Sequence, residues 1–155
     1  SAIQPIEIYF QELSVMVEEP GGLDVELKVP SDFEEWQGAQ FSSQHDYDII
    51  QEEHRSLVKI KLQLEIPNTD TVKLAYKVKI SAIGIFAMLV NSSTPQEHQS
   101  HLDLTVVNGT SMLYSAIREK LLDITSRMKP GAILLPSLNF ADIRPSIQNN
   151  HIDEN

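Results

Sequence analysis

The sequence has no cysteine. That excludes disulfides, thiolate metal sites and a cysteine nucleophile, and it agrees with a reducing cytoplasm. Long hydrophobic runs are missing as well. The longest, ISAIGIFAMLV at 80–90, is eleven residues, whereas a membrane-spanning helix takes about 20, so no membrane insertion is expected. The first fifteen residues lack the basic segment of a secretory leader. Positive charge is scarce: 12 Lys and Arg stand against 22 Asp and Glu, a net charge of −10. Nucleic-acid affinity comes largely from neutralising phosphates, so no nucleic-acid partner is expected. Also absent are the glycine patterns of nucleotide sites, the G-x-S-x-G elbow and the H-E-x-x-H helix. Neither a cofactor nor an enzymatic activity is expected. Asn91-Ser92-Ser93 and Asn108-Gly109-Thr110 match a glycosylation sequon, but they read as chance matches in turn-forming sequence.

What is present is enough for one domain: 155 residues, 41% of them hydrophobic. Charge is unevenly spread. Residues 1–54 hold 13 acidic side chains and one basic one, Lys28, whereas 55–79 hold Arg55, Lys59, Lys61, Lys73, Lys77 and Lys79 against Glu65 and Asp70. Such segments suit cross-strand pairing, or leave an acidic surface for a basic partner.

Alternation marks the strands. In IEIYFQELSVMV at 6–17, Ile6, Ile8 and Phe10 share one parity and Leu13, Val15 and Val17 the other. A bulge near Gln11-Glu12 would bring all six to one face. LDVELKV at 23–29 alternates cleanly and stops at Pro30. SLVKIKLQLEI at 56–66 sets Val58, Ile60, Leu62, Leu64 and Ile66 against Lys59, Lys61, Gln63 and Glu65, the pattern of an antiparallel sheet with one wet face. TVKLAYKVKI at 71–80 repeats it after the PNTD turn, completing a hairpin. Beyond Ser81 the polar parity vanishes, so this strand should be covered on both faces at its end, by a helix or a second subunit.

Residues 31–55 show no period. They read as a long acidic loop carrying Phe33, Trp36, Phe41 and Tyr47. Trp36, with Phe33 and Phe41, either anchors the loop on the core or lines a groove for apolar segments. NSSTPQEHQSHLD at 91–103 reads as a loop or frayed turn, and its His98 and His101, three apart, have too little framework for a metal site. A helix is expected over 109–128, capped by Thr110 or Asn108 and ended by Lys129-Pro130-Gly131. Leu113, Ile117, Leu121, Ile124 and Met128 fall on one face. Leu104, Val106, Tyr114, Ala116 and Leu122 widen that stripe enough to bury two faces. GAILLPSLNF at 131–140 is apolar but divided by Pro136, so it reads as a buried connector, with Asn139 as a plausible cap for a short helix.

The order of these pieces resembles a known family. Gly84-Ile85-Phe86 ends the sheet, MLYSAIREKLLDITSR at 112–127 fills the helix, and ILLPSLNFADI at 133–143 follows. SecB, the bacterial protein-export chaperone, has a GIF at the end of its sheet. Its first helix carries a sequence of the LFPYARE type, matched by Leu113, Tyr114, Ala116, Arg118 and Glu119. Its L-x-P-V-N-F signature is matched by Leu134, Pro136, Leu138, Asn139 and Phe140. The resemblance implies an α+β fold, a four-stranded antiparallel sheet with a long helix and a short second helix on one face. It implies one domain over 1–143 with a polar tail over 144–155, and Pro145 makes the second helix short. It implies ATP-independent holding of unfolded polypeptides, a homotetramer built as a dimer of dimers, and contact with the SecA translocase motor. Client-binding candidates are then Phe33, Trp36, Phe41, Ile133, Leu135 and Phe140. Oligomer-interface candidates are Tyr114, Ile117, Leu121 and Ile124. The alternative on the same fold is an adaptor or chaperone dedicated to one partner, such as those of toxin–antitoxin systems.

Overall fold

A computed structural model describes residues 3–18, 42–51, 55–66, 75–88, 94–138 and 140. Four strands precede one helix: β1 Ile3–Val17, β2 Ser42–Gln51, β3 Ser56–Ile66, β4 Tyr76–Met88 and α1 Pro95–Thr125. The strands form one antiparallel sheet in the order β1-β4-β3-β2. The class is α+β, as the alternation requires. The expected second helix, the 23–29 strand, the PNTD turn and the polar tail lie outside the described residues.

The expected strands form because one parity can be buried. On β3, Val58, Ile60, Leu62, Leu64 and Ile66 are buried while Lys59, Lys61, Gln63 and Glu65 are only partly covered. On β4 the buried row is Tyr76, Val78, Ile80, Ala82 and Phe86. Each such aliphatic or aromatic side chain stabilises by about 1.5–3 kcal/mol. From Ser81 onward the opposite parity of β4 is covered as well: Ser81, Ile83 and Ala87 are buried within the single chain. The register sets charges of opposite sign across from one another, with Asp48 opposite Lys59, position 46 opposite Lys61, and Glu65 opposite Lys79. Lys79 also lies 3.7 Å from Glu12, an exposed ion pair of small value.

The bulge in β1 is where the change of parity puts it, at Gln11 between Phe10 and Glu12, and a second one falls at Ile6. As a result Ile8, Phe10, Leu13, Val15 and Val17 lie opposite Gly84, Ala82, Ile80, Val78 and Tyr76, all on the helix side of the sheet.

Two expectations are corrected. Residues 42–51, read as loop, form β2. SSQHDYDIIQ has little alternation of its own, so its place in the sheet comes from pairing with β3, not from its pattern. The helix begins at Pro95, not near 109, so 95–103 is helix and not loop. Thr94 is the N-cap: its side chain accepts a bond from the Glu97 amide at 3.1 Å, and Pro95 opens the first turn. Thr110 and Asn108 are therefore interior, and the Thr110 hydroxyl donates to the Val106 carbonyl at 2.7 Å.

Gly109, read as a helix start, is mid-helix for a packing reason. A Cβ there would come within 2.5 Å of Ile60 Cδ1 and 3.0 Å of Phe86 Cε2. A Cβ on Gly84 would come within 2.5 Å of the Phe86 ring and 3.0 Å of Leu113 Cδ2. The two glycines seat the Phe86 ring between α1 and the sheet. Leu102, Val106, Leu113, Ile117 and Leu121 bury the helix face that lies over β4 and β3, and the helix covers β1 less than either.

Candidate functional site: a strap on the helix and an open edge

After the turns of 126–130, Gly131 takes a left-handed conformation (φ 102°) and sends the chain back along α1. The returning segment, 131–138, is irregular and belongs to no ladder. Its partners on the helix are Thr125, Arg118 and Tyr114, which with Leu121 are spaced three or four apart on one stripe. The Thr125 hydroxyl donates to the Leu121 carbonyl at 2.6 Å and accepts from the Ile133 amide at 2.8 Å. Arg118 Nε donates to the Leu135 carbonyl at 2.9 Å, and the Tyr114 hydroxyl to the Pro136 carbonyl at 2.5 Å. Tyr76, from β4, donates to the Gly131 carbonyl at 2.6 Å. Phe140 meets the Tyr114 ring edge-on, centroids 5.3 Å apart. These bonds give the strap's polar groups partners that an absent ladder cannot.

The electrostatics follow from this enclosure. Burial pushes the Tyr114 phenol up to about 12, with the Arg118 charge acting in the opposite direction. Burial also raises Tyr76. Both rings are held as neutral donors.

Alternation along the strap is sharp. Ile133 and Leu135 are 2% and 0% exposed, and Leu134 between them is 52% exposed. Three of the client-binding candidates, Ile133, Leu135 and Phe140, are thus turned into the core. Phe33, Trp36 and Phe41 lie outside the described residues. Of the interface candidates, Tyr114, Ile117 and Leu121 are buried within the single chain, and Ile124 is only partly so. The stripe expected to serve both packing and assembly is occupied by packing, with Leu122 left outside.

The open apolar surface lies on β1. Ile6, Ile8, Tyr9, Leu13, Met16 and Val17 are each between 39% and 57% exposed. Ile8, Leu13 and Val17 face the helix side but project past its cover, and Tyr9 and Met16, opposite Ile83 and Lys77, lie on the other side. β1 has β4 on one flank and no described strand on the other. An edge of this length presents main-chain donors and acceptors together with apolar side chains. The parity of 6–17 was legible in the sequence; that the helix would stop short of it was not.

His98 and His101 lie on α1, with the Nδ1 of His101 buried and unpartnered. Among the described residues no group of three His, Asp or Glu could hold a metal ion. No described helix is long and apolar enough to cross a membrane.

No protein-family profile matches the chain, and no curated protein matches it in sequence. Solved structures do. A SecB-like chaperone of Mycobacterium tuberculosis, solved in complex with a peptide from the HigA1 antitoxin, is 17% identical, with 88% of this chain and 90% of that one covered and a TM-score of 0.49. A protein of unknown function from Streptococcus agalactiae is 13% identical, with 87% of this chain and 98% of that one covered and a TM-score of 0.51. What this chain shares with the Streptococcus agalactiae protein is the fold.

Proposed function

We propose that this protein is an ATP-independent holding chaperone of the SecB kind. It takes up non-native polypeptide segments by burying their apolar side chains, with no cofactor and no chemical step. It works in the cytoplasm as a homo-oligomer, a tetramer arranged as a dimer of dimers. The observation that carries the reading is the β1 edge, with its six exposed apolar side chains on both faces of one strand. Single exposed apolar residues are ordinary on a monomer, but six on one edge strand mark a surface for another polypeptide. Main-chain groups read no sequence and apolar contacts read little, which suits a holder of varied clients or a second copy of the chain. The net charge of −10 suits a basic partner face, and contact with the SecA motor is part of the proposal.

The test is refolding of an aggregation-prone client with this protein at stoichiometric ratio, followed by turbidity. A delay in aggregation is expected, and Leu13→Lys with Met16→Lys should weaken it while leaving the circular dichroism unchanged. No delay at any ratio would sink the reading. Light scattering that gives a stable monomer at micromolar concentration would remove the assembly part. The second reading, a chaperone dedicated to one partner, is favoured if a pull-down from the native host yields one dominant protein instead of a spread of clients.

A further inference from the structure

The strap sits in its groove as an unfolded polypeptide would. Past its hinge turn it joins no helix or strand, and the hydrogen bonds that hold it join its main chain to side chains of the body: Ile133 N to Thr125, Leu135 O to Arg118, Pro136 O to Tyr114. Bonds of that kind do not depend on the strap's side chains. Its apolar contacts are those any extended chain can make, with Ile133 and Leu135 inward at alternate positions, Leu134 outward, and Phe140 against Tyr114. The hinge is held at its main chain by two bonds, from Tyr76 to the Gly131 carbonyl and from the Gly131 amide to the Met128 carbonyl, and no side chain crowds it. Gly131 has a φ of +102°, and nothing lies within 4 Å of where its Cβ would be.

We propose that residues 131–138, together with Phe140, are a built-in pseudo-client. They fill the groove between α1 and the sheet in the resting chain, and an extended polypeptide with apolar residues at alternate positions binds by displacing them. This rests on the holding function above and names the chemistry its groove selects. A tethered occupant competes at an effective concentration on the order of millimolar. It therefore weakens every client by the same factor and screens out segments that bind feebly. A folded protein cannot present an extended apolar chain and does not compete. Whatever loosens the strap raises client affinity in proportion to the open population.

The 2.8 Å bond between Thr125 and Ile133 keeps their Cα atoms within about 6.7 Å, inside the span of a disulfide. Because the chain has no cysteine, Thr125→Cys with Ile133→Cys gives a single reducible lock. The probe is a dye-labelled peptide of the strap's own sequence, GAILLPSLNF, read by fluorescence anisotropy, with GADLDPSLNF as control. The oxidised form should bind GAILLPSLNF at least tenfold more weakly than the same molecule reduced. In the unmodified chain, saturating peptide should speed amide exchange at Ile133. Leu135→Ala alters the strap and not the groove, so it should raise peptide affinity more than tenfold while keeping the helical circular dichroism. It also serves if the double-cysteine variant does not fold. If lock and Leu135→Ala leave peptide affinity unchanged while clients are still held, the strap is plain core and the inference falls, with the chaperone reading intact. Loss of the helical signal in Leu135→Ala overturns it equally. If neither clients nor peptide bind any form, both fall together.

Discussion

Gly109→Ala sets two effects of opposite sign against each other. In an exposed helix interior the change would stabilise by about 1 kcal/mol, because alanine is the better helix former. Here the added methyl would meet Ile60 Cδ1 at 2.5 Å and the Phe86 ring at 3.0–3.1 Å. Ile60 and Phe86 are fully buried, so neither can swing into solvent. The methyl group of Ile60 must leave its place and the ring must move by a few tenths of an ångström. Overpacking of this kind costs about 1–3 kcal/mol. The clash should win, leaving a net loss of about 1 kcal/mol, or about 2–4 °C in Tm for a chain of this size. The assay is urea unfolding followed by far-UV circular dichroism at one fixed protein concentration. A double-mutant cycle isolates the cause. Ile60→Val alone should cost about 1 kcal/mol, yet in the Gly109→Ala background it removes the clashing atom and should cost nothing. Additive effects, or a Gly109→Ala chain more stable than the original, would refute the view that Gly109 is there for close approach.

Three further outcomes are expected. Thr125→Val leaves the Ile133 amide buried without its acceptor and should destabilise by about 1–3 kcal/mol in the same unfolding assay, whereas Thr125→Ser keeps the oxygen and should cost much less. The Tyr114 phenol titrates near 12 when folded against 10.0 as an ordinary tyrosine. The folded chain thus holds the proton that the unfolded chain releases, so this contribution is intact below pH 10 and lost as pH rises toward 12. Tyrosinate absorbance and unfolding at stepped pH should show the late titration, and Tyr114→Phe should reduce the alkaline loss. Leu121→Asp places a charge at a fully buried position and should abolish the fold, at a cost of about 4 kcal/mol or more, while Ile124→Asp, only partly buried, should leave a soluble helical protein; expression and circular dichroism separate them.

What could be read from the sequence was what depends on local periodicity. The rows on β3 and β4 and the bulge at Gln11 all follow from which parity is apolar. What could not be read depended on distant partners. β2 looks like a polar loop because an edge strand borrows its order from the neighbour it pairs with. The start of α1 was hidden by Asn108-Gly109, a turn signal in isolation, since nothing local says that Ile60 and Phe86 need the missing Cβ. The cap was missed, although Thr94-Pro95-Gln96-Glu97 carries the signal that would have found it, an N-terminal signature. At the candidate site, the connector's burial was readable from its composition. Its clamps were not, since Arg118 and Thr125 look like ordinary surface and helix residues until the chain folds back beside them.

The two bulges in β1 bear on what the edge can become. Ile6 and Gln11 each interrupt the register, so the strand is divided into short straight runs, 7–10 and 12–17. A visiting strand can zip along one run but falls out of step at the next. Fibrous stacking needs long, flat, uninterrupted edges that repeat from molecule to molecule. A crooked edge can therefore stay adhesive toward one polypeptide at a time without becoming a seed, which is the condition that the proposed holding function requires.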